Sequence, residues 1–223
     1  MARNIRVAVI DSGVNASHPH VGTVVGGVSM LPGDSDDYVD RIGHGTAVAA
    51  AICERSPGAD LFIVKVFDRK LAASIDILVA AIDWAWRRNV DLINLSLGTA
   101  NPDHAEILSE AVARAGASGA LLVAARRHDG IEYFPGSLDG VVSVELDWEC
   151  PRLLVDVVAG PHPVCRASGY ARPAPGVPLA QNLKGLSFAV ANVTGLLARE
   201  LTSGCHPSVE MAFERLRRLS NLV

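Results

Sequence analysis

Apolar positions along the chain follow two periods. The runs "IRVAVID", "LFIVKVF", "VDLINLSLG", "ALLVAA" and "GVVSVEL" are short, rich in β-branched residues and nearly continuous, which is the pattern of strands buried on both faces. Between them the apolar residues recur at helical spacing. "HGTAVAAAI" follows the first loop, "IDILVAAIDWAWRRN" comes next, and "HAEILSEAVARAGAS" closes on a Gly-containing stop. Strand, helix and strand repeated in this way predict right-handed crossovers, and so an α/β fold of three layers: a mostly parallel central sheet flanked by helices. Two stretches break the rhythm. "LPGDSDDYVD" reads as an acidic loop, and "ASGYARPAPGVPLAQNLKG" as Pro/Gly-rich irregular chain. The last segment, "PSVEMAFERLRRLSNLV", predicts a helix that starts at Pro207, packs one apolar face and leaves its arginines in solvent. With no internal repeat and no long linker, residues 1–223 are expected to form one domain.

Composition narrows the function classes. At 49% hydrophobic and 20% charged residues, 223 residues can bury a full core. A formal net charge of −4 lacks the basic field of a nucleic-acid binder. No stretch reaches the roughly 20 apolar residues of a bilayer span. The opening "MARNIRVAVIDSG" has too short an apolar run for a signal peptide, so a cytoplasmic setting is expected. Cys53, Cys150, Cys165 and Cys205 form no Cys-x-x-Cys pair and read as free buried thiols rather than a disulfide framework. Neither the adjacent Cys205 and His206 nor the aspartates 34, 36, 37 and 40 have metal-site spacing. The acidic stretch is expected to be solvated, and no metal or other cofactor is expected.

The chemistry concentrates at three element boundaries, where a parallel sheet gathers its ligand-binding loops. Asp11 ends a strand in "VAVIDSG", His44 opens a helix in "IGHGTAVAAAI", and Ser187 opens another in "KGLSFAVA". Each has a plain structural role open to it, as turn former, helix residue or cap. Together they are the three types that nucleophilic acyl transfer needs. An imidazole takes the proton of an otherwise poor hydroxyl nucleophile, and a buried carboxylate fixes the imidazole's tautomer and steadies its cation.

In these contexts the sequence resembles the subtilisin-like serine peptidases, the subtilases. "VIDSGVNASHP" resembles that family's aspartate block, "GHGTAVAAAI" its histidine block and "GLSFAVANVTG" its serine block, in the family's order. "AAIDWAWRRNVDLINLSLG", "ASGALLVAA", "FPGSLDGVVSVEL" and "VDVVAG" also fall in the expected sequence. The resemblance implies that Ser187 is the nucleophile, His44 the general acid and base, and Asp11 its orienting carboxylate. It further implies that Ser96, Leu97 and Gly98 pair with an extended peptide or protein substrate, with Ala73 and Ser74 on the opposite side. Ala125, Arg126, Phe134 and Gly136 would complete the substrate pocket.

One departure stands out. The family's oxyanion asparagine lies in an A-A-G-N-E-G-like stretch. Ungapped alignment of Ala117–Gly130 sets His128 at that asparagine and Arg127 at the glycine before it. Candidate oxyanion donors are therefore His128, Arg127 and the Ser187 amide. The arginines could instead fill the pocket, or select a carboxylate-bearing substrate. Leu186 and Ala191 also replace the usual threonine and proline around the serine. The expected function is a serine endopeptidase. The alternatives are a pseudopeptidase that binds a peptide or an unidentified partner protein in the groove, and an acyl-transferring peptide ligase or cyclase.

Overall fold

The computed structural model describes residues 3–201 and 206–220. Cys205, read above as a thiol beside His206, lies outside them. Among the described residues nine strands form one sheet: β1 (Arg6–Asp11), β2 (Val24–Ser29), β3 (Asp60–Lys65), β4 (Leu92–Leu95), β5 (Leu121–His128), β6 (Ile131–Glu132), β7 (Val141–Leu146), β8 (Asp156–Val158) and β9 (Val164–Ala167). Their order is β2-β3-β1-β4-β5-β7-β9-β8, with β6 paired to β5. All pairings are parallel except β8 with β9 and β6 with β5. Five α-helices cover the sheet: α1 (His44–Arg55), α2 (Ile75–Trp86), α3 (Ala105–Ala117), α4 (Leu186–Glu200) and α5 (Val209–Ser220).

The period of two along a strand sorts side chains between the faces. Val7 and Val9 of β1 pack with α1, α4 and α5, while Ala8 and Ile10 pack with α2 and α3. Helix α4 is buried from Phe188 to Ala198, which is why its sequence is apolar almost all round rather than striped. The chain leaves β1, builds β2 and β3 on one side of it, and crosses to β4 on the other. The carboxyl ends of β1 and β4 thus flank the topological switch point, where open α/β sheets place their ligands. Asp11 ends β1 and Ser96 directly follows β4.

The predicted three-layer fold is present, with four differences in detail. β2 went unread because "VVGGVS" carries two glycines and lies at the sheet edge, mostly only half buried. β6, β8 and β9 are too short for a period to register. β5 continues past "ALLVAA" through Arg126, Arg127 and His128, and turns back into β6 at Asp129 and Gly130, whose φ values are 49° and 77°. Asp-Gly between two strands is the signature of such a turn. At α5 the helix begins at Val209 rather than Pro207, and the Ser208 hydroxyl accepts the Met211 N–H at 3.2 Å.

Candidate active site

Asp11 is fully buried at the end of β1. Its Oδ1 accepts the Ser12 N–H at 2.8 Å and lies 2.7 Å from His44 Nδ1. A carboxylate can only accept, so the imidazole proton sits on Nδ1 and Nε2 is left for another partner. Burial disfavours the His44 cation, but the hydrogen bond and charge of Asp11, with the charge of Asp40 behind it, outweigh this and raise the His44 pKa above the ordinary 6.5. The Phe188 ring packs on the imidazole with centroids 5.5 Å apart.

A second carboxylate holds this pair together. Asp40, four residues before His44, accepts from Ser12 Oγ at 2.9 Å, Ile42 N at 3.0 Å and Gly43 N at 2.9 Å through Oδ1, and from Thr46 N at 2.8 Å and Thr46 Oγ1 at 2.6 Å through Oδ2. Ser12 Oγ in turn accepts the Gly45 N–H at 2.9 Å. The turn that carries Asp11 and the helix start that carries His44 are thereby tied at several points. Desolvation pushes the Asp40 pKa up, and these donors override it and bring it below the usual carboxylate value. The acidic loop is solvated at Asp34 and Asp36, and Asp37 pairs with Arg41 at 2.7 Å on the surface; the expectation is corrected at Asp40, which is inward-facing with both oxygens bonded. Backbone contact reinforces the tie. A Cβ at Gly45 would overlap the Gly13 carbonyl oxygen, and one at Gly13 would overlap the Tyr38 carbonyl oxygen.

Ser187 is the second residue of α4, half buried, and its Oγ donates to the Ser96 carbonyl at 3.1 Å. No hydrogen bond joins it to His44 among the described residues. Its backbone N–H is one of the first four of the helix, which have no intrahelical acceptor and face the positive end of the dipole. Behind it, Thr194 Oγ1 donates to Asn94 Oδ1 at 2.9 Å and Asn94 Nδ2 donates to Ser96 Oγ at 2.8 Å. This buried chain locks α4 to β4, and its sequence signal is Asn94, the one polar residue in "LINL", with Thr194 in the buried stretch "VANVTG".

Ala73 and Ser74 face Leu97 and Gly98 across a cavity of about 270 Å³, as expected for two sides of one groove. Ser74 also caps α2 through Ile77 N at 3.4 Å. Beyond Gly98, Thr99 exchanges two backbone hydrogen bonds with Phe134, at 2.9 and 2.8 Å. A Cβ at Gly136 would overlap the Ala125 carbonyl. Phe134 thus adjoins Gly98, and Gly136 adjoins Ala125, by main-chain packing.

The three residues after Ala125 behave differently. A register shift against β7 between Ala125 and Arg127 re-aims the strand end. Arg126 lines a separate cavity with Phe213 and Arg217, its Nη1 3.4 Å from the His162 carbonyl, and shares no cavity with Leu97 and Gly98. Its expected place in the substrate pocket is corrected accordingly. Arg127 is exposed, and His128 pairs with Ile131 in the hairpin, its Nε2 3.5 Å from Asp129 Oδ2. Among the described residues none of the three bonds to His44, Ser96 or Ser187. The roles of Asp40, Ser12 and Thr46 were not read from the sequence; the available signal was an aspartate one helical turn ahead of "HGT".

The model of the subtilase family matches residues 2–144. The chain belongs to the subtilase family. Subtilisin amylosacchariticus of Bacillus subtilis subsp. amylosacchariticus is 38% identical to this subtilase over 136 residues, which is 57% of this chain and 35% of that protein. The chain spans about a third of that relative. Among solved structures, a cold-adapted subtilisin-like serine proteinase superposes with a TM-score of 0.74 at 20% identity, covering 97% of this chain and 82% of that one. A lanthipeptide protease superposes with a TM-score of 0.68 at 19% identity over 94% and 78% of the two chains. These superpositions extend the shared fold through α4, beyond the residues that the family model matches.

Proposed function

We propose that this subtilase is a serine endopeptidase that cleaves a peptide or protein substrate bound as an extended strand along Ser96–Gly98, with Ser187 as nucleophile, His44 as general base and acid, and Asp11 as the orienting carboxylate. The observation that carries the reading is the buried Asp11 carboxylate 2.7 Å from His44 Nδ1, beside the helix start that presents Ser187. In the resting arrangement the serine proton points to the Ser96 carbonyl. Rotation about the Ser187 Cα–Cβ bond carries it to His44 Nε2. His44 then accepts the proton as Oγ attacks the scissile carbonyl, and returns it to the leaving amine. Water, deprotonated by the same imidazole, releases the acyl group.

The Ser187 N–H stabilises the oxyanion from the α4 terminus. We assign the second donor to His128, which the β5–β6 hairpin carries and whose neutral imidazole retains an N–H. A shift of that hairpin tip towards Ser187 on substrate binding completes the site. We place the reaction in the cytoplasm, in keeping with the buried free thiols of Cys53, Cys150 and Cys165.

A fluorophosphonate probe tests the reading. Labelling that maps to Ser187 and disappears in His44→Ala is the expected result. A folded protein that stays unlabelled across pH 6–9 overturns it, and product masses distinguish hydrolysis from transfer to an amine.

A further inference from the structure

A second cavity flanks the reacting groups. It measures about 360 Å³ and is lined by Gly43, Ala47 and Ala50 of α1 and the residue before it, by His18 and His20 after β1, and by Ala171, Arg172, Asn182 and Leu183 ahead of α4. The Ala73–Gly98 groove opens beside α2, whereas this cavity opens beside α1 and the segment leading into α4, which cover the opposite face of the sheet. Gly43 directly precedes His44, and Leu183 lies four residues before Ser187. On the peptidase reading, a chain whose acyl half lies along Ser96–Gly98 continues past Ser187 and His44 to the side that Gly43 and Leu183 line.

The floor is apolar and small, formed by Ala47, Ala50 and Ala171, and the lining carries the donors Arg172 and His18. Arg172 is half buried. One of its five N–H donors is used, Nη1 to the His20 carbonyl at 3.3 Å, and no carboxylate pairs with it among the described residues. Neighbouring Glu54 is committed to Arg152 through both carboxylate oxygens. Asn182 fixes the arginine's backbone, its Nδ2 donating to the Arg172 carbonyl at 2.8 Å. The His18 Nδ1 accepts the His20 N–H at 3.2 Å, so the neutral ring carries its proton on Nε2 as a further donor. The one carboxylate in the lining, Asp40, has both oxygens taken by its five donors.

We propose that this cavity receives the leaving-group half of the substrate and selects a carboxylate there, with Arg172 as the charged partner and His18 as the second donor. The carboxylate is an Asp or Glu side chain, or the free C-terminus of the substrate. This inference rests on the peptidase reading for the direction of the chain.

The test separates the two. A peptidyl p-nitrophenyl ester acylates Ser187 with no residue on the leaving-group side. The acyl-enzyme then partitions between water and an added tripeptide: Ala-Glu-Ala amide, Ala-Gln-Ala amide, or Ala-Gln-Ala with a free carboxylate. The ratio of aminolysis to hydrolysis is read by product mass within each protein, so a change in overall rate cancels. The Glu amide is expected to exceed the Gln amide about tenfold if a side chain is recognised, and the free acid to exceed its amide if the terminus is. Either preference should fall to about one in Arg172→Gln and largely persist in Arg172→Lys. Equal partition of all three in the wild type, or a preference unaffected by Arg172→Gln, overturns the inference while leaving the peptidase intact. Failure of the ester to turn over, with Ser187 unlabelled, overturns the peptidase reading instead. Calorimetric binding of the same tripeptides to Ser187→Ala then decides the cavity's preference without chemistry, and equal affinities would overturn it.

Discussion

The start of α1 and the end of β5 both deliver side chains from sheet-associated elements, yet they are held in different ways. Around His44, one carboxylate accepts five hydrogen bonds, a buried serine bridges two loops, and glycine main chains touch. Around His128, two strand residues pair across a two-residue turn, and the side chains of Arg127 and Asp129 lie in solvent. On the reading proposed above, the first arrangement holds the His44–Asp11 pair before substrate arrives, and the second leaves the His128 donor to be fixed by substrate. Preorganisation is then unequal across the proposed site: imidazole and carboxylate are already paired, whereas Ser187 has still to turn from Ser96 and the second oxyanion donor to be positioned.

Breaking the fixed half should cost most. Ser187→Ala and His44→Ala are each expected to lower kcat by on the order of 10⁴ or more, measured on a quenched fluorescent peptide; Ser187→Ala should leave thermal unfolding nearly unchanged, whereas His44→Ala, which strips the buried Asp11 of its partner, should also lower stability. On the loose half, His128→Ala should lower kcat about 10²-fold with little change in KM, because a donor to the oxyanion acts mainly in the transition state. Arg127→Ala should change kcat less than about threefold. A reversed pair of effects would move the donor role to the arginine.

Asp40→Asn probes what holds His44. We expect a loss of about 2 kcal/mol of stability in urea, since an amide cannot accept all five donors, and a roughly tenfold loss in kcat/KM. The pH profile carries the more specific signature. Because the folded His44 pKa is raised, the acid limb of kcat/KM should lie above pH 6.5, and Asp40→Asn should bring it down. The linked stability has opposite signs for the two groups. The contribution of His44 is complete below the unfolded imidazole pKa and is lost as pH rises through the folded value. That of Asp40, whose pKa is depressed, is complete above the unfolded carboxyl value and is lost as pH falls through the folded one. A small effect is expected from Gly130→Ala, which puts a side chain at φ 77°. It should cost about 1 kcal/mol of hairpin stability, visible as faster amide exchange at Ile131 and Glu132 with kcat lowered only a few-fold.

Much of this was legible in the sequence where one residue type does one thing. Continuous β-branched runs gave the central strands, and Asp11, His44 and Ser187 each sit at an element end. Ala73, Ser74, Leu97 and Gly98 line one cavity. What was missed depends on pairing between distant segments. "VVGGVS" is a strand only because β3 lies beside it. Asp40 looked like one more acid in "DSDDYVD", since nothing in its neighbours says that Ser12 will stand over it. Arg126 was expected to line the substrate pocket, and its side-chain direction depends on the irregular pairing of β5 with β7 between Ala125 and Arg127, which the sequence does not announce.

The close approach of Gly45 to Gly13, and of Gly13 to Tyr38, has a consequence for heating. The spacing of the two backbone segments that carry imidazole and carboxylate is set by main chains stacked three deep. Warming should leave the downfield Nδ1 proton resonance of His44 in place until the domain melts as a whole, long after the exposed β5–β6 turn has begun to exchange its amides. Loss of activity with temperature would then begin at the oxyanion, with the proton relay still assembled.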